Sequence, residues 1–326
     1  MNTSRPLISI IIPAYNCENS VRKCVESLLK QSWQNREIIF IDDGSTDSTP
    51  LILDEYPEIT VFKTKNRGPS HARNLGIERC HGDYIAFTDS DCIAEPDWLE
   101  ELYKGFEKFP DSPVAGVGGD QKSPPDDSRF GKRVHEFLKS VGFVGEYVKA
   151  GRKMKETRHN PTCNVMYRKK DLVKSGGFNE YLWPGEDVEI DLTLSRLGYI
   201  HLFNPDAVVY HYRPNAWSGF YRMMDRYGWA QGYLVNRYGI FRPLHFEPVL
   251  LILFFITIGV LIFNGMHKSA IVFTSVSALT AIIIPFIYFY LKSWNLKNSF
   301  TFYAFFWILL FSWNKGFLKG ILRKKR

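Results

Sequence analysis

The sequence predicts an α/β domain built on a mostly parallel sheet, followed by C-terminal membrane helices. Three observations carry this. Short apolar runs alternate with amphipathic helical stretches over roughly the first 215 residues. The runs end in turn residues and acids, in "PAYN", "DDGSTD" and "DSD". Beyond about Phe246, charge-free runs dominate: Pro248 to Met266, Ser269 to Leu291 and Asn298 to Asn314. The expected organisation is the α/β domain over 1–215, an amphipathic interfacial segment over 216–247, and a membrane region over 248–326.

The elements follow in order. "LISIIIPAYN" opens as a continuous apolar run, which suits a strand buried on both faces of a parallel sheet. Val21, Cys24, Val25, Leu28 and Leu29 then mark the apolar face of a helix. "REIIFIDDGSTDSTP" repeats the grammar, with a strand from Glu37 to Ile41, a polar turn, and Pro50 early in a helix, where proline is tolerated. "EITVFKT" is a third strand, Pro69 opens a helix ending near Gly82, and "DYIAFT" is the fourth strand. A further helix presents Trp98, Leu99, Leu102, Tyr103 and Phe106 on one face.

The pattern weakens after "VAGVGGD". Asp120 to His159 is expected to be an excursion over one face, with a helix around Phe130 to Val148. Gly185 to Leu197 reads as a loop feeding a helix, and "YIHLFNPDAVVYHY" as strands near the sheet edge. "GFYRMMDRYGWAQGYLVNRYG" is amphipathic and aromatic, as an interfacial helix would be.

The first two apolar runs have 19 and 23 residues, matching the roughly 20 that span a bilayer as helix. The third has 17, with its apolar part between Phe300 and Trp313, and is marginal. Three spans would carry the basic tail outside, against the positive-inside tendency, whereas a two-span hairpin returns it to the cytoplasm. The hairpin is the favoured reading. "MNTSRPLISIIIPAYN" lacks the cleavage site and apolar length of a signal peptide, so a multi-pass cell-membrane protein with a cytoplasmic N-terminal domain is expected.

The net charge of +7 is a local feature: Lys315, Lys319, Arg323, Lys324, Lys325 and Arg326 lie in the tail, and without them it is +1. A basic tail beside apolar helices meets anionic lipid headgroups rather than nucleic acid. Cys17, Cys24, Cys80, Cys92 and Cys163 form no CxxC pair, so free thiols and no zinc site are expected.

In a sheet of this kind ligands bind beyond the carboxyl ends of the strands. Asp89 and Asp91, two residues apart at such an end, can share one divalent cation with a diphosphate; Mg²⁺ and Mn²⁺ favour oxygen ligands. Asp42 and Asp43 end the second strand. Asp, Ser and Thr there also suit a capped turn. Arg73 lies on a helix that points back toward the same edge.

The ordered series "IIPAYN", "FIDDGSTDST", "KNRGPSHARNLGI", "GDYIAFTDSDC", "CNVMYRKKDLVKSGGFNE" and "GEDVEIDLTLSRLGY" closely resembles the family 2 glycosyltransferases over about Leu7 to Tyr199. That resemblance implies a GT-A fold, inverting chemistry and a nucleotide-diphospho-sugar donor, UDP being the commonest expectation. By the same resemblance Pro13, Ala14 and Tyr15, with Glu18 nearby, pack on the nucleotide. Asp42 reads the base, Arg73 serves base and diphosphate, Asp89 approaches the ribose, and Asp91 ligates Mn²⁺ or Mg²⁺ with Asp89. Asn164 lines the acceptor side, and His211 is a further candidate metal ligand. Glu186 and Asp187 match the family's "ED" pair. Asp187 is then the general base that removes the acceptor proton, and Glu186 orients acceptor or base. Charge at a helix N-terminus is the alternative account of this pair.

The membrane segment implies a lipid-linked acceptor. A polyprenyl phosphate is already an anion and needs little help from a base, whereas a sugar hydroxyl needs one. "GED" therefore favours transfer onto a hydroxyl of a lipid-linked glycan, as in polysaccharide or glycoconjugate assembly. A lipid-phospho-sugar synthase is the alternative, and a non-catalytic membrane scaffold a remote one. Arg222, Arg226 and Tyr227 are candidates for clamping a diphosphate, or for headgroup contact.

Overall fold

The computed structural model describes residues 5–142 and 153–323. The expected helix beyond residue 142, and Lys324, Lys325 and Arg326 of the tail, lie outside them. The chain forms two compact units, Met1–Pro214 and Asn215–Arg326.

The first unit is a three-layer sandwich. In chain order it comprises β1 (Ile8–Ala14), α1 (Val21–Leu29), β2 (Arg36–Asp42), α2 (Thr49–Leu53), β3 (Thr60–Lys63), α3 (Pro69–Arg79), β4 (Tyr84–Phe87), β5 (Cys92–Ala94) and α4 (Trp98–Lys108). There follow β6 (Val114–Lys122), α5 (Arg129–Ser140), β7 (Lys155–Thr157), β8 (Val165–Arg168), α6 (Lys169–Ser175), α7 (Glu186–Arg196) and β9 (Ile200–His211). The strands form one sheet in the order β3-β2-β1-β4-β8-β6-β9-β5, with β7 also on β9. The sheet is parallel through β3-β2-β1-β4 and again between β6 and β9. β8 runs antiparallel to both β4 and β6, and β5 and β7 antiparallel to β9. The later half of the sheet is thus mixed.

Period-two alternation sorts β1 between the two faces. Ile8, Ile10, Ile12 and Ala14 pack with Val21, Val25 and Leu28 of α1 and with Trp98 and Leu102 of α4. Ile11 faces the other layer, with Ala72 and Ile77 of α3, Leu172 of α6 and Leu194 of α7. The four isoleucines of β1 are fully buried, each worth roughly 1.5–3 kcal/mol over exposure. Both faces being covered explains the unbroken apolar text.

"YIHLFNPDAVVYHY" is one strand, β9, where more than one was expected. It pairs along its length with β6 across register shifts, while β7 and β5 share its opposite side. Those two short strands therefore hold the edge.

The second unit contains α8 (Trp217–Tyr238), a 3₁₀ turn (Pro243–Phe246), α9 (Glu247–Phe263), α10 (His267–Ser293) and α11 (Leu296–Ile321). Pro243–Phe263 and His267–Ser293 are long and apolar enough to cross a membrane, and their side chains mostly face outward. The marginal run from Phe300 to Trp313 lies within α11, which packs on α8 with Phe302, Phe305, Trp313 and Phe317 buried. The two helices run the same way: Phe220 meets Phe305 near one end, and Asn236 Nδ2 donates to the Ile321 carbonyl (2.6 Å) at the other. Their contact is backbone to backbone. A Cβ at Gly228 would lie 2.0 Å from the Trp313 carbonyl oxygen, one at Gly232 2.0 Å from that of Phe317, one at Gly316 1.9 Å from that of Asp225, and one at Gly320 2.1 Å from that of Trp229. Each helix thus presents two glycines four residues apart, the spacing that permits close helix approach.

Candidate active site

The parallel register sets Ala14 opposite Asp42 and brings the ends of β1, β2 and β4 to one edge of the sheet. The loops after β1 and β2 are laced together there. Thr46 N donates to Asn16 Oδ1 (2.8 Å), Ser48 N to Glu18 Oε2 (3.0 Å) and Glu18 N to Asp47 Oδ2 (3.1 Å). Glu18 therefore braces the second loop. Tyr15 is 47% exposed at the rim, whereas Ala14 is buried and Pro13 half-buried.

Asp42 is buried and accepts from Ser45 N (3.0 Å), the capped turn that "DDGST" implies. Asp43 accepts from Arg67 N (2.9 Å) and Gly68 N (2.6 Å). Its work is architectural: it fastens the loop that aims α3 back across the edge.

Arg73 of α3 is buried and joins two acid groups far apart in sequence. Its Nη2 donates to Asp89 Oδ1 (2.8 Å) and its Nη1 to Glu186 Oε1 (2.7 Å). One guanidinium thus spans "DSD" and "GED", with the fork geometry that lysine lacks. Burial pushes the Glu186 carboxyl up; Arg73 opposes this, Asp187 adds to it, and the result is about 7. Glu186 Oε2 has no hydrogen-bond partner among the described residues.

Asp187 is more open than Glu186. Its Oδ1 accepts from Val188 N (2.8 Å), and its Oδ2 lies 3.6 Å from His159 Nε2. The other imidazole nitrogen, His159 Nδ1, is 2.9 Å from Asp191 Oδ2. Asp191 is fully buried and also accepts from Asn160 N (2.7 Å) and Tyr167 OH (2.6 Å), with His201 Nδ1 3.4 Å away. Burial would raise Asp191, but His201 and His159 outweigh it and hold the carboxyl below its ordinary value. Neither His159 nor Asp191 was among the expected site residues. The available signal was helical spacing, since Asp191 lies four residues after Asp187 on α7 and so shares its face. His159 ends the excursion that periodicity does not parse.

Asp91 sits on the opposite side of Asp89 from Arg73's helix in sequence order, its side chain 45% exposed and its Oδ2 3.5 Å from His211 Nε2. Burial opposes charge on His211, yet Asp91 lifts it to about 10. With a cation bound, the neutral imidazole would be the ligand beside that carboxylate. Asp89, Asp91 and His211 are oxygen and nitrogen donors that fit a divalent metal ion.

Asn164 is a correction. It is fully buried, its Nδ2 donates to the Asp120 and Ala207 carbonyls (2.8 and 2.9 Å), and its Oδ1 accepts from Trp98 Nε1 (2.8 Å). With these groups committed to the scaffold it does not line an acceptor pocket; it pins the loop that carries Cys163. Gly176 and Gly177 have φ of 89° and 74°, as the tight turn after α6 requires.

Comparison with known proteins identifies the family and the fold. The model of glycosyl transferase family 2 matches residues 9–176, just over half of the chain. Glycosyltransferase GlyA of Streptococcus pneumoniae is 43% identical over 106 residues, which is 31% of this chain and 15% of that protein. A Methanococcus voltae protein is 27% identical over 272 residues, 78% of this chain and 83% of its own; it is named as a dolichyl N-acetyl-alpha-D-glucosaminyl phosphate 3-beta-D-2,3-diacetamido-2,3-dideoxy-beta-D-glucuronosyltransferase. The mannosyltransferase PcManGT from Pyrobaculum calidifontis, solved with GDP-Man and Mn2+, superposes with a TM-score of 0.63 at 18% identity, covering 99% of this chain and 89% of that one. That likeness shows the fold. The chain has a GT-A fold and spans less than half the length of the first curated relatives it matches. It belongs to glycosyl transferase family 2.

Proposed function

We propose that this glycosyltransferase is an inverting enzyme that moves a sugar from a nucleotide-diphospho-sugar to a hydroxyl of a lipid-linked glycan. The observation that carries the reading is Arg73, which couples the Asp89 side of the site to the Glu186–Asp187 side through two charge-assisted hydrogen bonds. Pro13, Ala14, Tyr15, Glu18 and Asp42 form the nucleotide side, and Asp89 the ribose side. Asp89, Asp91 and His211 would hold an Mn²⁺ or Mg²⁺ ion, which when bound would offset the charge of the diphosphate.

Asp187 takes the proton of the acceptor hydroxyl as its oxygen bonds to the anomeric carbon and the nucleoside diphosphate leaves from the opposite face. Glu186, with Oε2 uncommitted, orients that hydroxyl. His159 acts through Asp187: fixed by Asp191 on one nitrogen, it presents the other toward the base and holds its rotamer. The name of the Methanococcus voltae relative, a transferase onto a lipid-phosphate-linked sugar, supports the acceptor class. The GDP-Man bound to PcManGT keeps guanine beside uracil as a donor base to test.

We assign the catalytic part to 1–215, with the segment 216–247 at the membrane interface and 248–326 forming the membrane region. In this reading a cytoplasmic domain precedes a multi-pass anchor.

The test uses the full chain in detergent. Release of nucleotide from UDP-, GDP- and dTDP-sugars is followed with Mn²⁺ and with chelator, beside Asp91→Ala. Transfer to a polyprenyl-diphosphate-linked sugar is then measured for Asp187→Asn. The expected loss is about 10²–10⁴-fold in turnover at unchanged donor affinity. Intact turnover in Asp187→Asn would remove it as the base.

A further inference from the structure

Free thiols and no zinc site were expected from the spacing of the cysteines, and all five are indeed free. The fold nonetheless gathers two of them. Cys92 on β5 and His211 on β9 are direct partners in an antiparallel pair, so their side chains leave the sheet on one face. Cys163, from the loop before β8, completes a group with His211. The ligand atoms of Cys92, Cys163 and His211 all lie within 4.8 Å of one another. Asp91 adjoins them, its Oδ1 3.8 Å from Cys92 Sγ and its Oδ2 3.5 Å from His211 Nε2.

We propose that Cys92, Cys163, His211 and Asp91 form a binding site for a thiophilic divalent cation of the Zn²⁺ class, overlapping the hard-cation site at Asp91 and His211. The donor set is two sulfurs, one imidazole and one carboxylate, the composition that selects zinc over magnesium or manganese. Tetrahedral zinc with sulfurs at about 2.3 Å needs ligands roughly 3.7 Å apart. The Cys92, Cys163 and His211 ligand atoms, within 4.8 Å of one another, have to close by at most about 1 Å. Its anchors are set: Thr88 Oγ1 donates to the Cys163 carbonyl (3.0 Å), and Asn164 pins the same loop. The thiols are buried, while Asp91 is nearly half exposed and offers the way in. The sulfurs bind as thiolates and the imidazole as its neutral base, with no change of oxidation state. The excess negative charge faces Arg213, itself buried and hydrogen-bonded to Gln121 (2.9 Å).

The consequence is exclusion. A soft cation seated here takes Asp91 and His211 away from the ion that serves the diphosphate, so it switches donor use off. The thiol site stands on its own geometry; only this effect on turnover rests on the proposed function.

Two measurements on the full chain in detergent separate these. Co²⁺ is titrated without Mn²⁺, followed by displacement with Zn²⁺, and thiolate-to-metal charge-transfer absorption is read. One equivalent should give the band, and Cys92→Ser or Cys163→Ser should weaken binding by more than about 100-fold, beyond the loss of an outer-shell partner. Alkylation of the unmutated chain gives the second reading: Zn²⁺ should protect Cys92 and Cys163 while leaving Cys17 unprotected. In the donor assay Zn²⁺ should inhibit in competition with Mn²⁺, and Cys163→Ser should resist it. Absence of the band, its persistence in both serine variants, or alkylation of Cys92 and Cys163 unaffected by Zn²⁺ would overturn the site. A band with no effect on donor turnover would keep the site and overturn the exclusion.

Discussion

Replacing Gly228 with alanine adds one methyl group, and the structure assigns it a cost. The new Cβ falls 2.0 Å from the Trp313 carbonyl oxygen, against an ordinary contact that begins near 3.4 Å. The obstacle is backbone, which cannot swing aside as a side chain would, so α8 and α11 must part locally by about 1.4 Å. Overpacking of this kind costs about 1–3 kcal/mol. Alanine returns up to about 1 kcal/mol of helix propensity, leaving a net loss of roughly 0–2 kcal/mol, toward the upper end here because the obstacle is backbone. Gly259 in α9 is the control, because nothing lies within 4 Å of its added Cβ. There only the propensity gain remains, and the same substitution has the opposite sign. Hydrogen exchange of the α8 amides in detergent reads the difference locally. Gly228→Ala should speed it about 5–30-fold, since 1.4 kcal/mol is a factor of ten, and Gly259→Ala should leave it unchanged. Adding Gly316→Ala to Gly228→Ala should cost less than the single changes sum to, because helices already parted have relieved the second clash. Unaltered α8 exchange in Gly228→Ala would refute the close-contact account.

Two further outcomes follow from the first unit. Asp191→Asn leaves His159 and His201 without their buried carboxylate and should cost about 3–5 kcal/mol by chemical unfolding. Because the folded state holds Asp191 low, its contribution is present above the ordinary Asp range and is lost as pH falls through the depressed value; the acid limb of the stability curve should therefore be shallower in the variant. Asn164→Ala strands Trp98 Nε1 and two carbonyls and should destabilise by about 2–4 kcal/mol, with acceptor preference among lipid-linked sugars unchanged. A shift of preference without loss of stability would return Asn164 to the acceptor side.

The legible parts of this fold are those where one period governs a long stretch. β1, α1, β2 and β4 read directly because burial on both faces removes polar interruptions, and the acids at their ends converge once the strands are parallel. The reversal of β8 did not show, since strand direction depends on the path of the preceding excursion and leaves no mark on the alternation of "NVMYR". Asn164 misled because a motif position says what residue is present, and its hydrogen bonds are spent on carbonyls from two distant strands. The Cys92–Cys163–His211 group was invisible for a related reason. Its members come from a strand, a loop and another strand with no common spacing, and only the β5–β9 register brings them together.

The parallel course of α8 and α11 has a consequence for counting crossings. α8 carries Arg222, Asp225, Arg226 and Arg237, more ionised groups than a helix keeps in hydrocarbon. α11 lies beside it from Phe305 to Ile321 and must share its depth. Lys315 and Lys319 point the same way, each within 4 Å of Asp225. Among the described residues only α9 and α10 are long and apolar enough to traverse a bilayer, and two traverses are an even number. An even count would return the chain after α11 to the side on which α8 begins.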